Sequence, residues 1–221
     1  MNIVDGMLPP GWEWSAHLLY AVVLGVAVWR APWRELAKPG MLHGFLGAST
    51  LLMVLWSLQA GVNPGLGFHL LGATLLTLMF GWELAVVAQG IVLVAVTAYG
   101  MGGWHSFSMN ALLTGVIPVA VSYGVYRAVD RWLPNNIFVY IFLCAFFGAG
   151  LAIAVSGFGS VGVLVASGVY SFEHVAYEYM PYFPLMVFPE AFVTGMLVTI
   201  LVGFFPRWVW TFDDQRYLRP H

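Results

Sequence analysis

Cysteine is almost absent from this 221-residue chain, and Cys144 alone excludes both an intramolecular disulfide and a metal site built from several thiolates. Its place in an apolar run marks it for packing. Charge is scarce as well. Lys and Arg number 8 and Asp and Glu 10, and a formal net charge of −2 leaves no basic surface for nucleic acid. No Gly-x-x-x-x-Gly-Lys-Ser/Thr loop is present to cradle a nucleotide. No Ser, His and acid set converges on one depth either, so the chain is not expected to be an enzyme or to bind an organic cofactor.

What is present is apolar. Hydrophobic residues make up 61% of the chain and charged ones 8%, and the mean hydropathy is +0.85. That balance belongs to a polytopic membrane protein with lipid as its main solvent. No charged residue occurs between Lys38 and Glu83, between Glu83 and Arg127, or between Arg131 and Glu173. Each gap has room for spans of about 20 residues. A β-barrel would alternate over short segments, whereas Ile137 to Val155 and Leu185 to Phe205 are apolar all round.

The expected fold is therefore an all-α integral membrane protein of seven transmembrane helices. The spans are Trp14–Trp29, Met41–Leu58, Gly67–Phe80, Glu83–Tyr99, Ser106–Tyr126, Asn136–Val155 and Leu185–Phe205. They form one transmembrane domain over residues 1–221, with an outer N-terminal loop at 1–13, a bundle at 14–206 and a cytoplasmic tail at 207–221. The third span is short. Ser160–Tyr170 is also apolar, but Gly157, Gly159, Gly162 and Gly168 interrupt it, which suits a half-helix or a packed outer segment better than an eighth span.

Seven alternating spans with the N-terminus outside place all eight Lys and Arg residues on the cytoplasmic side, as basic residues in short loops prefer. An eighth span would move Arg207, Arg216 and Arg219 to the wrong face. A cleavable secretory signal would open on basic residues, and Asp5 and Glu13 stand there instead. The start is thus expected to be mature, with Met1 retained beside the bulky Asn2 and its formyl group removed. Nine of the Trp residues fall near span ends, where their rings settle at headgroup level.

The polar groups expected at or near the outer face are Met1, Asp5, Glu13, His17, His69, His105, Glu173, His174 and Glu178. Imidazoles, carboxylates and an α-amino group together suit a divalent cation. Each also has a plainer explanation. His69 at the start of an apolar helix serves equally as a cap, and His105 as an interfacial residue beside Trp104. Glu13 and His17, spaced i,i+4, suit a surface hydrogen bond. Asp5 suits a cap on the turn at Gly6, and Glu173, His174 and Glu178 suit a solvated loop or a weak cation funnel.

The opening Met-Asn-Ile-Val-Asp-Gly-Met-Leu-Pro-Pro resembles the Met-His-Ile-Pro-Asp-Gly-Phe-Leu-Ser-Pro start of the CbiM/NikM family. Its members are cobalt- and nickel-binding membrane components of energy-coupling-factor transporters. Gln59 followed by Asn63 to Gly72 resembles that family's Gln, glycine-rich turn and Gly-His-Leu-Leu-Gly block. Gly102, Gly103 and Asn110 sit at the spacing of its Gly-Gly and Asn-Ile-Phe-Asn-Met segment, and Pro189-Glu190-Ala191 resembles its late Gly-Glu-Ala.

The resemblance implies a metal held by the amine of Met1, the backbone nitrogen of Asn2 and the imidazole of His69. Gln59, Asn63, Asn110 and Glu190 would give polar support, with Asn63 in turn chemistry and Glu190 bonded to the N-terminal loop or to Asn110. Where the family has a histidine this chain has Asn2, so one imidazole is missing. His105 replacing it, a weaker site for a different ion, and a lost site all remain open. The implied cargo is nickel or cobalt, with copper and zinc as alternatives. The implied partners, beside membrane lipid, are a coupling transmembrane protein and cytosolic ATPases at a bacterial cytoplasmic membrane. The alternative is a non-transporting scaffold or accessory subunit of another membrane complex.

Overall fold

The computed structural model describes the chain except residues 1, 2, 59, 62–64, 214–216 and 218–221. Met1, Asn2, Gln59, Asn63 and His221 therefore lie outside the described residues.

The chain forms α1 (Pro10–Arg30), α2 (Met41–Ser57), α3 (Ala73–Ala98), α4 (Phe107–Trp132), α5 (Ile137–Ala166) and α6 (Phe183–Phe204). Two additions are local. Ala60–Gly61 and Gly67–Phe68 pair antiparallel, closing the loop between α2 and α3. A short helix, Phe172–Glu178, precedes α6 and makes with it one long apolar stretch.

Five helical stretches are long and apolar enough to cross a membrane, and α2 is a shorter apolar one. Their outer faces carry large exposed side chains such as Leu18, Phe142, Phe188 and Phe204. Water would not tolerate a continuous apolar exterior of this kind. The molecule is a multi-pass helical membrane protein.

The stretch α3 is two helical arms joined at a break rather than one straight rod. Gly81 takes φ 80° and ψ 168°, outside helical geometry. An unbroken helix would carry Leu71 and Gln89 about 27 Å apart at 1.5 Å per residue, yet Gln89 Nε2 donates to the Leu71 carbonyl at 3.0 Å. The chain therefore doubles back at Gly81. The arm 73–80 lies along α2, where Phe45 and Phe80 meet edge to face at 5.4 Å and Leu52 abuts Gly72. The arm 82–98 lies along α1, with Arg30 over the Trp82 ring at 5.8 Å and Tyr20 against Gly90. The sequence division between Phe80 and Glu83 falls at this reversal. Residues 67–72, expected in the third span, are strand and loop, because the left-handed Gly72 (φ 61°) delays the helix to Ala73.

Ser160–Tyr170 is not a separate segment. Residues 160–166 continue α5, which at 30 residues reaches about 45 Å. Two of its glycines serve packing: a Cβ on Gly157 would meet the Phe183 ring at 3.1 Å, and one on Gly150 would meet Val187 at 3.3 Å, while Gly162 interrupts nothing and Gly168, at φ 77°, lies just past the helix end. Small residues here let α6 seat closely.

The two ends of the bundle differ. Arg30 and Trp82 mark one end, where Trp208 packs on Gly44 and Val129 clusters with Tyr140, Phe212 and Tyr217. Every described basic residue (Arg30, Arg34, Lys38, Arg127, Arg131 and Arg207) belongs to this end by chain position. The opposite end holds the N-terminal segment and the turn before α4.

Candidate metal centre

The N-terminal segment is built into the bundle. Ile3 is fully buried. Its N–H donates to Asn110 Oδ1 at 2.8 Å, and its carbonyl accepts from Asn110 Nδ2 at 2.8 Å and from the Ser106 hydroxyl at 2.6 Å. Asn110 thus reads both backbone groups of one residue, as a neighbouring strand would. Met7 continues the docking against Gly65 and Leu164.

Asp5 finds its partners away from the turn at Gly6. Its carboxylate accepts from the backbone N–H of Trp104 at 3.0 Å and of Ser106 at 3.0 Å, and from the Ser106 hydroxyl at 3.2 Å. Desolvation works against the carboxylate, but the bonds from Ser106, His105 and Trp104 outweigh it and hold the pKa below the ordinary 3.8. The loop 103–106 is the receptor for the N-terminal segment. His17 likewise takes a distant partner: its Nδ1 lies 2.7 Å from the Ser108 hydroxyl.

His69 sits in the loop before α3, buried against Trp56 with ring centroids 4.6 Å apart. Nδ1 faces the Leu70 carbonyl at 3.3 Å, which only a protonated Nδ1 can satisfy. The Nε2 lone pair is then free, and Nε2 is buried with no hydrogen-bond partner among the described residues. An imidazole fixed through one nitrogen with the other left bare is the usual form of a metal-ligating histidine.

The loop around His69 is trussed by three side chains through four bonds. Glu190 accepts from Leu71 N at 2.7 Å and from Gly72 N at 2.9 Å, while Trp56 Nε1 and Gln89 Nε2 both donate to the Leu71 carbonyl, at 3.3 and 3.0 Å. Non-helical backbone buried among apolar helices must have its polar groups met by protein. These four bonds do that. Glu190 is the expected structural acceptor, but its partners are Leu71 and Gly72 rather than the N-terminal loop or Asn110, which is occupied by Ile3.

Sequence reasoning missed Gln89 and Trp56. A lone amide in the run 84–96 was the available signal, since a buried amide needs a partner. Gln89 Oε1 is a second buried acceptor without one among the described residues. Each unmet acceptor costs about 1–3 kcal/mol, so two on side chains tied to the carbonyls of Leu70 and Leu71 are a feature to be explained.

Among the described residues no three of His, Cys, Asp and Glu gather into a metal cage. A cation at His69 must be completed by groups of another kind. His105 is exposed, in the turn that grips Asp5, whereas His69 is buried. Glu173 and Glu178 are exposed on the short helix Phe172–Glu178, and His174 stacks on Tyr170 at 5.1 Å.

Comparison with known proteins covers nearly the whole chain. The family described as the cobalt uptake substrate-specific transmembrane region, CbiM, matches residues 2–208. A putative cobalt transport protein CbiM 1 of Methanosarcina barkeri is 24% identical over 202 residues, covering 91% of this chain and 87% of that one. The cobalt transport protein CbiM of Desulforamulus reducens is 28% identical over 211 residues, covering 91% and 79%. A putative fused nickel transport protein NikMN of Archaeoglobus fulgidus is 25% identical over 171 residues, and this chain spans 54% of its length. In fold, the crystal structure of a transition metal transporter superposes with a TM-score of 0.78 at 20% identity, covering 92% of this chain and 93% of that one.

Proposed function

The chain belongs to the CbiM family of cobalt uptake substrate-specific transmembrane regions, and we infer from this that it binds the substrate ion of a cobalt or nickel uptake transporter in a cytoplasmic membrane. The observation that carries the reading is His69: a buried imidazole with its Nε2 bare, in a trussed loop beside a docked N-terminal segment. The family resemblance supplies two further nitrogens, the amine of Met1 and the backbone nitrogen of Asn2. These two nitrogens and His69 Nε2 are the ligand set we assign to the ion, and a nitrogen set of this kind suits nickel, cobalt or copper. His105 remains a candidate to replace the missing imidazole only if its exposed side chain turns inward.

The topology we assign has seven crossings: α1, α2, the two arms of α3, α4, α5 and α6. The arm 73–80 is only about 12 Å long, so the loop 65–72 completes its crossing within the outer half. The end bearing the basic residues faces the cytoplasm and the site faces out. Without a nucleotide-binding loop, transport needs ATPase subunits, and a coupling membrane protein would link them to this component.

Asn2 favours a second reading, in which the site has decayed and the chain serves as a scaffold in another membrane complex. The deciding experiment is elemental analysis of cobalt, nickel, copper and zinc in detergent-purified protein with its native N-terminus, beside His69→Ala. About one ion per chain in the parent and none in the variant is expected. No metal in the parent after incubation with each ion overturns the transport reading in favour of the scaffold.

A further inference from the structure

Gln89 has no counterpart among the ligands assigned above, yet the structure treats it as part of the same site. It comes from the returning arm of α3, is 2% exposed, and packs against the position of Gly115 on α4. Its amide orientation is settled by chemistry. Nε2 meets the Leu71 carbonyl at 3.0 Å, and the flipped amide would set two acceptors face to face. Oε1 therefore points away from Leu71, buried, with no hydrogen-bond partner among the described residues.

Another buried acceptor without a partner among the described residues is His69 Nε2. The two side chains share a frame. Trp56 Nε1 and Gln89 Nε2 converge on one carbonyl oxygen, that of Leu71, and the Trp56 ring lies 4.6 Å from the His69 ring. A buried amide oxygen and a buried imidazole lone pair, each held by its other end and both left bare, lack the same thing: a cation or a proton donor.

We propose that the side-chain oxygen of Gln89 is a further ligand of the substrate ion, adding an oxygen donor to the nitrogen set of the amino terminus and His69. The inference rests on the metal-binding reading above. It also bears on the departure at Asn2, because a chain lacking one imidazole has a donor position to fill, and a preorganised neutral oxygen fills it without adding charge to the interior. A mixed nitrogen and oxygen set widens the range of acceptable ions beyond those that demand an all-nitrogen plane.

The test uses cobalt(II) alone, titrated into detergent-purified protein with its native N-terminus. It reads the visible ligand-field band and the affinity by competition for the parent, Gln89→Leu, Gln89→Glu and His69→Ala. Gln89→Leu should weaken binding at least about tenfold and move the band. Gln89→Glu loses the N–H to Leu71 and sets a carboxylate oxygen against that carbonyl but keeps a donor oxygen, so it should bind more tightly than Gln89→Leu and move the band. Equal weakening of both variants would mean that the amide acts only through Leu71, and it would overturn the proposal, as would a Gln89→Leu protein indistinguishable from the parent. If Gln89→Leu does not purify folded, Gln89→Glu decides alone, since a ligand-field band left unmoved there defeats the proposal. A parent that takes up no cobalt overturns the metal-binding reading and this proposal together. Loss in His69→Ala with no change in Gln89→Leu defeats this proposal alone.

Discussion

Asp5 occupies the space that a side chain on Gly103 would need: a Cβ there would lie 2.0 Å from Asp5 Oδ1, 2.4 Å from its Cγ and 2.7 Å from its backbone nitrogen. Because backbone is among the obstructed atoms, rotating the carboxylate away cannot relieve the clash. Gly103→Ala should therefore lift the N-terminal segment out of the bundle, costing about 1–3 kcal/mol of docking and most of the cobalt affinity. Limited proteolysis near residue 5 and cobalt titration would show it. Gly47→Ala, where an added methyl meets nothing within 4 Å, should be silent, and a Gly103→Ala protein that resists protease like the parent would refute the argument.

The grip on Asp5 also sets a pH dependence. Its pKa is lowered in the folded chain from 3.8, so the released segment binds the proton more tightly than the docked one. The contribution to docking is whole above pH 3.8 and is lost as pH falls through the lower folded value. Amide-exchange protection at Trp104 and Ser106 should stay level from about pH 6 to about pH 4 and decline only below that. Asp5→Asn should abolish the step. A midpoint above 3.8 would contradict the assigned bonds.

Gly81 is the hinge of the helical hairpin. Its φ of 80° and ψ of 168° lie in a region open almost only to glycine. Gly81→Ala should cost about 1–3 kcal/mol or prevent folding. Gly25→Ala, in α1 with nothing within 4 Å of the added methyl, should be neutral or stabilising by about 0.5–1 kcal/mol. Melting in detergent compares the two. Equal melting temperatures would mean that the reversal at Gly81 is not needed.

The helical rods were legible in the sequence because lipid imposes length and apolarity, and the break near Gly81 was legible because Glu83 punctuates an otherwise apolar run. The site was legible in part. His69 stood out by residue type and surroundings, and Asn110 only through the family resemblance. The pairing of Gln89 with Leu71 was not readable, since it exists only once the chain doubles back and brings together residues that a straight helix would hold far apart. Asp5 and His17 show the same effect. Local readings, a turn cap for one and a Glu13 pair for the other, lost to partners on the turn before α4 and on α4 itself. The partners of Glu190 were misplaced for a related reason: Asn110 already spends both ends of its amide on Ile3.

Glu190 offers the sharpest separation of positioning from mere stability. It lies on α6 just after Pro189 and holds the N–H groups of both Leu71 and Gly72, so it touches the loop of His69 without facing the assigned ion. Glu190→Ala strands two buried donors, at about 1–3 kcal/mol each. Glu190→Gln keeps one acceptor and turns an amide N–H₂ toward the other donor, so its loss should be intermediate. If the carboxylate orients His69, cobalt affinity should fall in the same order, by about 10–100-fold for the alanine variant, in protein that is still folded at the temperature of the titration. Melting curves and cobalt titrations on the same preparations separate the two effects. An alanine variant that melts lower but binds cobalt like the parent would leave Glu190 a structural tie only, with the aim of His69 set by Trp56 and Gln89 through the carbonyl of Leu71.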